Sequence, residues 1–264
     1  MNFGIPTLLE INSLTDSAAL CQELGLDFVE LNMNLPQFQI DKIDITTFSE
    51  IAEQHSIYYT IHLDENFNPC DFNEKIAIAY TETMLQTIEV AQQLKVPILN
   101  MHLHSGVYFT LPDKKVFLYE KYESEYLQNL TAFRDTCEAA IGNTDIKICV
   151  ENCGDFANLY VQKSLDILLE SSAFALTFDV GHNAGAGYSD EPTIIKYADR
   201  LAHFHIHDAI GKSNHLVLGS GDVDLQKYLE LAKSYNCRGV LEVKTVTGLR
   251  ESVVWLRKNT EVLK

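Results

Sequence analysis

The sequence predicts a single (β/α)8 TIM barrel over residues 1–264. Short runs rich in β-branched and aromatic residues alternate eight times with segments whose apolar residues recur every three to four positions. Acidic and imidazole side chains stand at the carboxyl ends of nearly all of these runs. Because repeated strand-helix units favour parallel strands with right-handed crossovers, the polar side chains would gather on one rim of a closed sheet.

The predicted elements follow one another in strict alternation. The strands are Asn2–Thr7, Phe28–Asn32, Tyr58–Leu63, Ile98–Leu103, Ile146–Glu151, Ala175–Asp179, Ala202–His207 and Gly239–Lys244. The helices cover residues 17–25, 46–55, 76–94, 123–141, 164–172, 192–200, 225–235 and 249–259. In the seventh helix, Leu225, Tyr228, Leu229 and Ala232 share one face, which is typical of a helix packed on a sheet.

An open, doubly wound sheet is the competing architecture. Such sheets bind ligands at one switch point, and many carry a GxGxxG or GxxxxGK loop after a strand. This chain has neither loop, and its polar residues follow nearly every strand, which favours the barrel. After the fourth strand comes a long loop, 104–115, with two aromatic residues. It is interpreted either as a lid over the mouth or as a packed surface loop.

Composition narrows the class of protein. The chain has 37 acidic and 20 basic residues, a formal charge of −17, and this balance disfavours nucleic acid as a ligand. No apolar run approaches the length of a membrane span, and the first residues lack a signal-peptide pattern. We therefore expect a cytoplasmic protein with no membrane partner, whose six cysteines are reduced thiols. A homo-oligomer is left open.

Three histidines alternate in the segment 201–209. His203, His205 and His207 are two residues apart, so in an extended strand their rings share one face. A solvated row or satisfied core histidines would explain any one of them. Because acids and imidazoles also end the other strands, the run indicates a metal site assembled from many strands.

Four residues are predicted to ligate that metal: Glu151, Asp179, His205 and Glu242. Each ends, or comes late in, one of the last four strands, and apolar residues precede it. Taken singly, each acid could instead form a salt bridge or a helix cap. Three carboxylates converging in a partly apolar funnel would repel one another, and a divalent cation removes that conflict. The ligand types suit Mn²⁺ or Mg²⁺, while nearby histidines favour Zn²⁺, Co²⁺ or Fe²⁺.

Three further features line the predicted mouth. Lys244, two residues past Glu242, would contact either a substrate oxygen or Glu242 itself. Glu30 and Asn32 are interpreted as polar lining of the second strand. Two glycines in HLVLGSGD would let the backbone approach an anion, or would shape a loop that orients His215.

The order of these motifs resembles the xylose-isomerase-like barrel superfamily. The motifs are ENxG from Glu151, FDxGH around Asp179, HxHxHD from His203, HLVLGSGD from His215 and LE at Glu242. That superfamily includes sugar isomerases, ketose 3-epimerases, inosose dehydratases and endonuclease IV abasic-site nucleases. The resemblance spans nearly the whole chain.

The resemblance implies a role for each matched residue. The metal ligands of the epimerase branch match Glu151, Asp179, His205 and Glu242, and the two glutamates would form the proton-transfer pair. His182 would lie against a substrate hydroxyl, whereas in the nuclease branch that position binds a further zinc. Three more histidines match nuclease zinc ligands: His62, His102 and His215.

The chain departs from both branches. A three-zinc nuclease would have an aspartate where this chain has Ser213. In ketose epimerases a second glutamate would stand at Ala157, and a basic residue at Gly211, next to Lys212. These departures count against a DNA-repair nuclease and against a free ketohexose 3-epimerase.

The resulting hypothesis is a divalent-metal-dependent isomerase or epimerase of a sugar, sugar phosphate or polyol. It would move a proton next to a carbonyl through an enediolate. The alternatives are a dehydratase of an inosose-type polyol, an endonuclease-IV-like zinc phosphodiesterase, and a sugar-binding barrel without turnover.

Overall fold

Eight of the twelve strands in the described part of the chain pair in parallel and close into a ring. The computed structural model describes residues 1–260. Its strands are β1 (Phe3–Pro6), β2 (Phe28–Asn32), β3 (Tyr58–His62), β4 (Ile98–His102), β5 (Tyr108–Thr110), β6 (Lys115–Phe117), β7 (Lys147–Glu151), β8 (Phe174–Asp179), β9 (Leu201–Ile206), β10 (Asp208–Ile210), β11 (Ser213–Leu216) and β12 (Arg238–Leu241). Round the ring the order is β1, β12, β9, β8, β7, β4, β3, β2, which confirms the predicted (β/α)8 barrel.

Helices connect the barrel strands on the outside. They are α1 (Leu14–Glu23), α2 (Ile45–His55), α3 (Glu74–Leu94), α4 (Leu118–Lys121), α5 (Glu123–Ile141), α6 (Leu159–Leu168), α7 (Val180–Gly185), α8 (Glu191–Lys196), α9 (Leu225–Ser234) and α10 (Val246–Asn259). Side-chain caps fix where several begin: Ser13, Asp44 and Asp224 each accept a hydrogen bond from an amide of the first turn. Within residues 1–260, no helix has the length and apolarity that a bilayer crossing requires.

The structure changes three details of the predicted strands. The last barrel strand, β12, stops at Leu241, so Glu242 and Lys244 lie in the loop that follows it rather than in a strand. The long loop after β4 contains the antiparallel hairpin β5–β6. A second hairpin, β10–β11, forms directly after β9 because the chain reverses at Gly211, whose φ is +56°.

The floor of the barrel is filled by aromatic rings. Phe28 stacks on Tyr58 with ring centroids 5.1 Å apart, and the Arg238 guanidinium donates a hydrogen bond to the Tyr58 hydroxyl at 3.2 Å. A Cβ on Gly4 would lie 2.3 Å from the Phe28 ring, so the glycine makes room for it. The floor is therefore packed, and the polar chemistry is confined to the layers above it.

Residues that face outward from the strands anchor the helices. Phe178 of β8 packs edge-on against Phe204 of β9 and against Tyr228 of α9, with centroid distances of 5.5 and 5.2 Å. The alternation of these rings with inward polar residues gives each strand its two faces. Because of this alternation, four side chains of β8 and β9 face the inside of the barrel: Thr177, Asp179, His203 and His205.

Candidate metal centre

The four predicted metal ligands meet at the carboxyl-terminal mouth of the barrel. Glu151 and Asp179 are the last residues of β7 and β8, His205 lies next to the end of β9, and Glu242 follows β12 directly. From Nδ1 of His205 the distance is 3.3 Å to Oε1 of Glu151 and 3.3 Å to Oε2 of Glu242. The distance to Oδ2 of Asp179 is 3.8 Å. The structure thus gathers four residues from four strands into one cluster, and all four are buried.

The two 3.3 Å distances match the spacing of donor atoms around one shared cation, and the 3.8 Å distance to Asp179 is wider. Ligand atoms about 2.1 Å from an ion stand about 3.0–3.4 Å apart in octahedral or tetrahedral geometry. Nδ1 of His205 and Oε2 of Glu242 are buried and have no hydrogen-bond partner anywhere in residues 1–260. Buried polar atoms normally have partners, and converging carboxylates need a positive charge between them. Oxygen donors with one imidazole therefore suit a divalent cation.

His182 brings a fifth donor from the short helix α7. Asp179 caps that helix, and its Oδ1 accepts a hydrogen bond from the His182 amide at 2.6 Å. The ring turns back to the cluster, where Nδ1 lies 3.2 Å from Oδ2 of Asp179 and 3.4 Å from Oε1 of Glu151. Burial lowers the pKa of His182, but the charges of Asp179 and Glu151 outweigh it and raise the pKa to about 9.

Opposite charges within the cluster also hold it together. Burial by itself raises the pKa of Glu151 and of Glu242, yet the neighbouring His205 charge brings both well below their ordinary range. Burial lowers the pKa of His205, but the surrounding carboxylates, led by Glu151, raise it well above its usual value. Protonated imidazole thus balances the carboxylates, and a cation that binds here displaces protons.

His62 and His102 lie on the far side of Glu151. Their Nε2 atoms are 3.4 and 3.3 Å from Oε2 of Glu151, the oxygen that does not face His205. Nδ1 of His62 lies 2.7 Å from the carbonyl oxygen of Leu63, which can only accept a hydrogen bond, so Nδ1 carries a proton. In the neutral ring, the Nε2 lone pair of His62 then faces a carboxylate oxygen.

His215 and Lys244 lie on either side of Glu242. Nδ1 of His215 is 3.1 Å from the Glu242 carbonyl oxygen and 3.7 Å from Oε2 of Glu242, and its ring centroid is 5.7 Å from that of His182. Burial lowers the pKa of His215 to about 4. Lys244 donates to Oε1 of Glu242 at 2.7 Å, which is the ion-pair alternative raised from the sequence.

His207 orients Asp179 from outside the cluster. Its Nδ1 accepts the His215 amide hydrogen at 2.8 Å, so the ring proton is on Nε2, which donates to Oδ2 of Asp179 at 3.2 Å. A Cβ on Gly181 would lie 1.9 Å from Cε1 of His207. The FDxGH motif therefore needs a glycine at position 181, because the His207 ring packs where a side chain would lie.

The backbone around the GSGD turn binds an anion, but this anion is a carboxylate of the chain itself, that of Asp208. The buried Asp208 carboxylate accepts four backbone hydrogen bonds at 2.9–3.1 Å, from Ala209, Gly219, Gly221 and Val223. A Cβ on Gly221 would lie 2.4 Å from Oδ1 of Asp208. The turn thus shapes the loop behind His215, and Asp208 already occupies the place of an external anion.

The hairpin β5–β6 exposes several apolar side chains. Phe109 is 59% exposed and Val107 61%, and Lys115 lies 4.2 Å from the centre of the Tyr108 ring. The hairpin follows β4 directly, so it rises from the same end of the barrel as the cluster. Its action as a lid remains a prediction.

Sequence reasoning missed two partners of the ligands. Asn100 donates through Nδ2 to Oε2 of Glu151 and accepts the Thr177 hydroxyl on Oδ1. Glu30, which we interpreted only as lining, contacts both His203 and His205 inside the barrel. The sequence does indicate that Glu30 of β2 and Asn100 of β4 face inward. It does not indicate which ligand each side chain contacts, because that depends on how the barrel closes.

Comparison with known proteins identifies the family. The sequence profile of the xylose isomerase-like TIM barrel family matches residues 18–259. The chain belongs to this family. The uncharacterized protein MJ1614 of Methanocaldococcus jannaschii is 24% identical to this chain over 253 residues, and the match covers 92% of each chain.

Solved structures share the barrel over its whole length. A D-tagatose 3-epimerase-like protein superposes with a TM-score of 0.80 at 24% identity, and the match covers 100% of this chain and 98% of that one. The IolI protein, whose crystal structure has a bound zinc atom, superposes with a TM-score of 0.73 at 18% identity, covering 99% and 97%. At these identities the likeness establishes the fold.

Proposed function

We propose that this protein is a divalent-metal-dependent isomerase or epimerase of a sugar, sugar phosphate or polyol. The observation that carries the proposal is the convergence of Glu151, Asp179 and Glu242 within 3.3–3.8 Å of Nδ1 of His205. The likeness to a D-tagatose 3-epimerase-like protein and to zinc-bound IolI supports it.

The four ligands would hold the cation, and His182 would lie against a substrate hydroxyl. When bound, a divalent cation polarises a carbonyl and stabilises the negative charge that develops on the oxygens of a keto sugar. The chain's own side chains move the proton. Since the cation would stabilise the charge and side chains would move the proton, Glu151 and Glu242 are the candidate acid–base pair.

Glu151 and Glu242 stand on opposite parts of the mouth. Between β7 and β12 lie two strands on one side of the ring and four on the other. In the proposal, one glutamate removes the proton from the carbon next to the carbonyl and the other returns it on the opposite face. The His205 charge, with Lys244 beside Oε1, holds the pKa of Glu242 well below its ordinary range, so this carboxylate is ionised. Loss of a β-hydroxyl from the same enediolate would instead give dehydration.

Isotope exchange tests the proposal. Protein loaded with Mn²⁺, Co²⁺ or Zn²⁺ is incubated with a panel of ketoses and inososes in D₂O, and deuterium at the carbon next to the carbonyl is followed by NMR and mass spectrometry. We expect uptake with at least one substrate and its loss in Glu151→Gln and Glu242→Gln. Glu138→Gln, the same change on the exposed face of α5, is the matched control and retains exchange. A protein that binds metal but exchanges no deuterium across the panel contradicts the proposal.

A zinc phosphodiesterase is the second candidate, favoured by one observation. The carboxylate of Glu151 faces two separate donor groups, with His205 and His182 near Oε1 and with His62 and His102 near Oε2. In the neutral form of His62, the Nε2 lone pair would face that carboxylate oxygen, and a second cation would resolve the contact. Metal analysis separates the candidates: about one ion per chain supports the isomerase, whereas two or three, with hydrolysis of a model phosphodiester, support the hydrolase.

A further inference from the structure

A buried carboxylate lies directly beneath the metal cluster. Glu30 of β2 is 3% exposed, and its Oε2 accepts hydrogen bonds from the Thr60 hydroxyl at 3.0 Å and from Nε2 of His203 at 2.9 Å. Its other oxygen, Oε1, lies 3.0 Å from Nε2 of His205. This last approach is an ion-pair contact, and Nε2 of His205 makes no hydrogen bond within residues 1–260. Glu30 therefore joins two of the three alternating histidines from the opposite side of the barrel.

The two nitrogens of His205 face different partners. Nδ1 lies 3.3 Å from the Glu151 and Glu242 carboxylates of the cluster, and Nε2 lies 3.0 Å from Glu30. A neutral imidazole carries one proton, and the nitrogen without it is the one that can ligate a metal. With the proton on Nε2, Glu30 is the acceptor within reach and the Nδ1 lone pair faces the cluster.

We propose that Glu30 is the positioning residue for His205, and that His203 and Thr60 fix Glu30 in that role. The inference rests on the proposed metal centre and names a part of it that the ligands alone do not define. The ionised carboxylate selects the Nε2-protonated form of His205 and holds the ring with Nδ1 toward the cation. His203 and Thr60 occupy Oε2, which leaves Oε1 for His205. Carboxylate partners of this kind orient metal-binding histidines and strengthen their donation.

The isosteric change Glu30→Gln reverses this selection. Its amide oxygen takes the Thr60 and His203 donors, so its NH₂ group faces Nε2 of His205. An NH₂ donor favours a lone pair on Nε2 and therefore a proton on Nδ1, where the cation would bind. The variant changes neither the size of the side chain nor the four ligands.

Zinc affinity is the first readout of the test. Zn²⁺ binding is measured by competition with a chromophoric chelator, and the visible spectrum of the Co²⁺-loaded protein reports the ligand field. We expect Glu30→Gln to weaken Zn²⁺ binding about 10- to 100-fold and to alter the Co²⁺ spectrum. Glu138→Gln, at an exposed position of α5, is expected to leave both unchanged. A folded Glu30→Gln protein with wild-type Zn²⁺ affinity and spectrum overturns the inference.

A second measurement needs no variant and decides the case if Glu30→Gln fails to fold. In ¹H–¹⁵N spectra of the Zn²⁺-loaded wild-type protein, His205 is expected to show a slowly exchanging proton on Nε2 and none on Nδ1. A proton on Nδ1 overturns the inference. Wild-type protein that binds no Zn²⁺ removes the proposed metal centre itself, whereas binding that does not depend on Glu30 removes only the inference about Glu30.

Discussion

Asn152 holds the backbone of Asp179 from both sides. Its Oδ1 accepts the Asp179 amide hydrogen at 2.8 Å, and its Nδ2 donates to the Asp179 carbonyl at 3.0 Å. The asparagine of the ENxG motif thus ties the end of β7 to the end of β8, where two of the proposed ligands stand. These two hydrogen bonds fix the backbone that carries the Asp179 carboxylate.

Replacing Asn152 by alanine is expected to lower the free energy of unfolding by about 2–4 kcal/mol, because a buried amide and a buried carbonyl lose their partners. Urea denaturation of the metal-free protein measures the loss. Asn158→Ala is the control, since Asn158 is exposed and its side chain makes no cap to α6. Equal stabilities of the two variants would show that the Asn152 bridge contributes little.

Gly181 is predicted to be the glycine of α7 that tolerates no side chain. Gly181→Ala pushes the His207 ring away from Asp179, and we expect Zn²⁺ affinity to fall by about 10-fold. Gly185→Ala in the same helix is the matched control, because its Cβ would meet only an oxygen 3.8 Å away. Chelator competition compares the two. A Gly181→Ala protein that binds Zn²⁺ as the control does contradicts the role of His207.

Asp208 is expected to stabilise the β10–β11 end of the barrel as an internal anion. In Asp208→Asn, one oxygen becomes an NH₂ group that faces backbone donors, so the unfolding free energy should fall by about 3 kcal/mol. Asp222→Asn changes an exposed aspartate of the same turn and should leave stability near wild type. Thermal and urea unfolding of the pair provide the comparison, and equal losses would contradict the account.

Glu191 gives a pH dependence that is separate from the metal centre. Burial raises the pKa of Glu191, but its bonds to Lys227 and to the Tyr228 hydroxyl outweigh that and lower it. The folded pKa is below the unfolded one, so its stabilisation is present above about pH 4.3 and disappears as pH falls through the folded pKa. The stability difference between wild type and Glu191→Gln should therefore shrink on acidification. A constant difference from pH 7 to pH 3 would refute this.

The strand pattern predicted the barrel because inward and outward residues alternate in every strand, and because a parallel barrel brings all carboxyl ends to one rim. Glu151 and Asp179 could be placed from that rule alone. Glu30 could not, because it reaches His205 across the ring from β2, and the sequence does not say which inward residues face each other. Glu242 was placed in the predicted strand Gly239–Lys244, yet the ladder with β9 ends at Leu241.

The cytoplasmic location stays a prediction from the sequence, which left the oligomeric state and the choice among sugar substrates open. The metal centre, in contrast, depends on a few interatomic distances.

An anomalous difference map of crystals grown with Zn²⁺ or Mn²⁺ tests the central claim most directly. The account predicts a peak about 2.0–2.3 Å from Nδ1 of His205 and from one oxygen each of Glu151, Asp179 and Glu242. A loaded crystal with no peak among these four side chains, or with metal held only by His62 and His102, would contradict it.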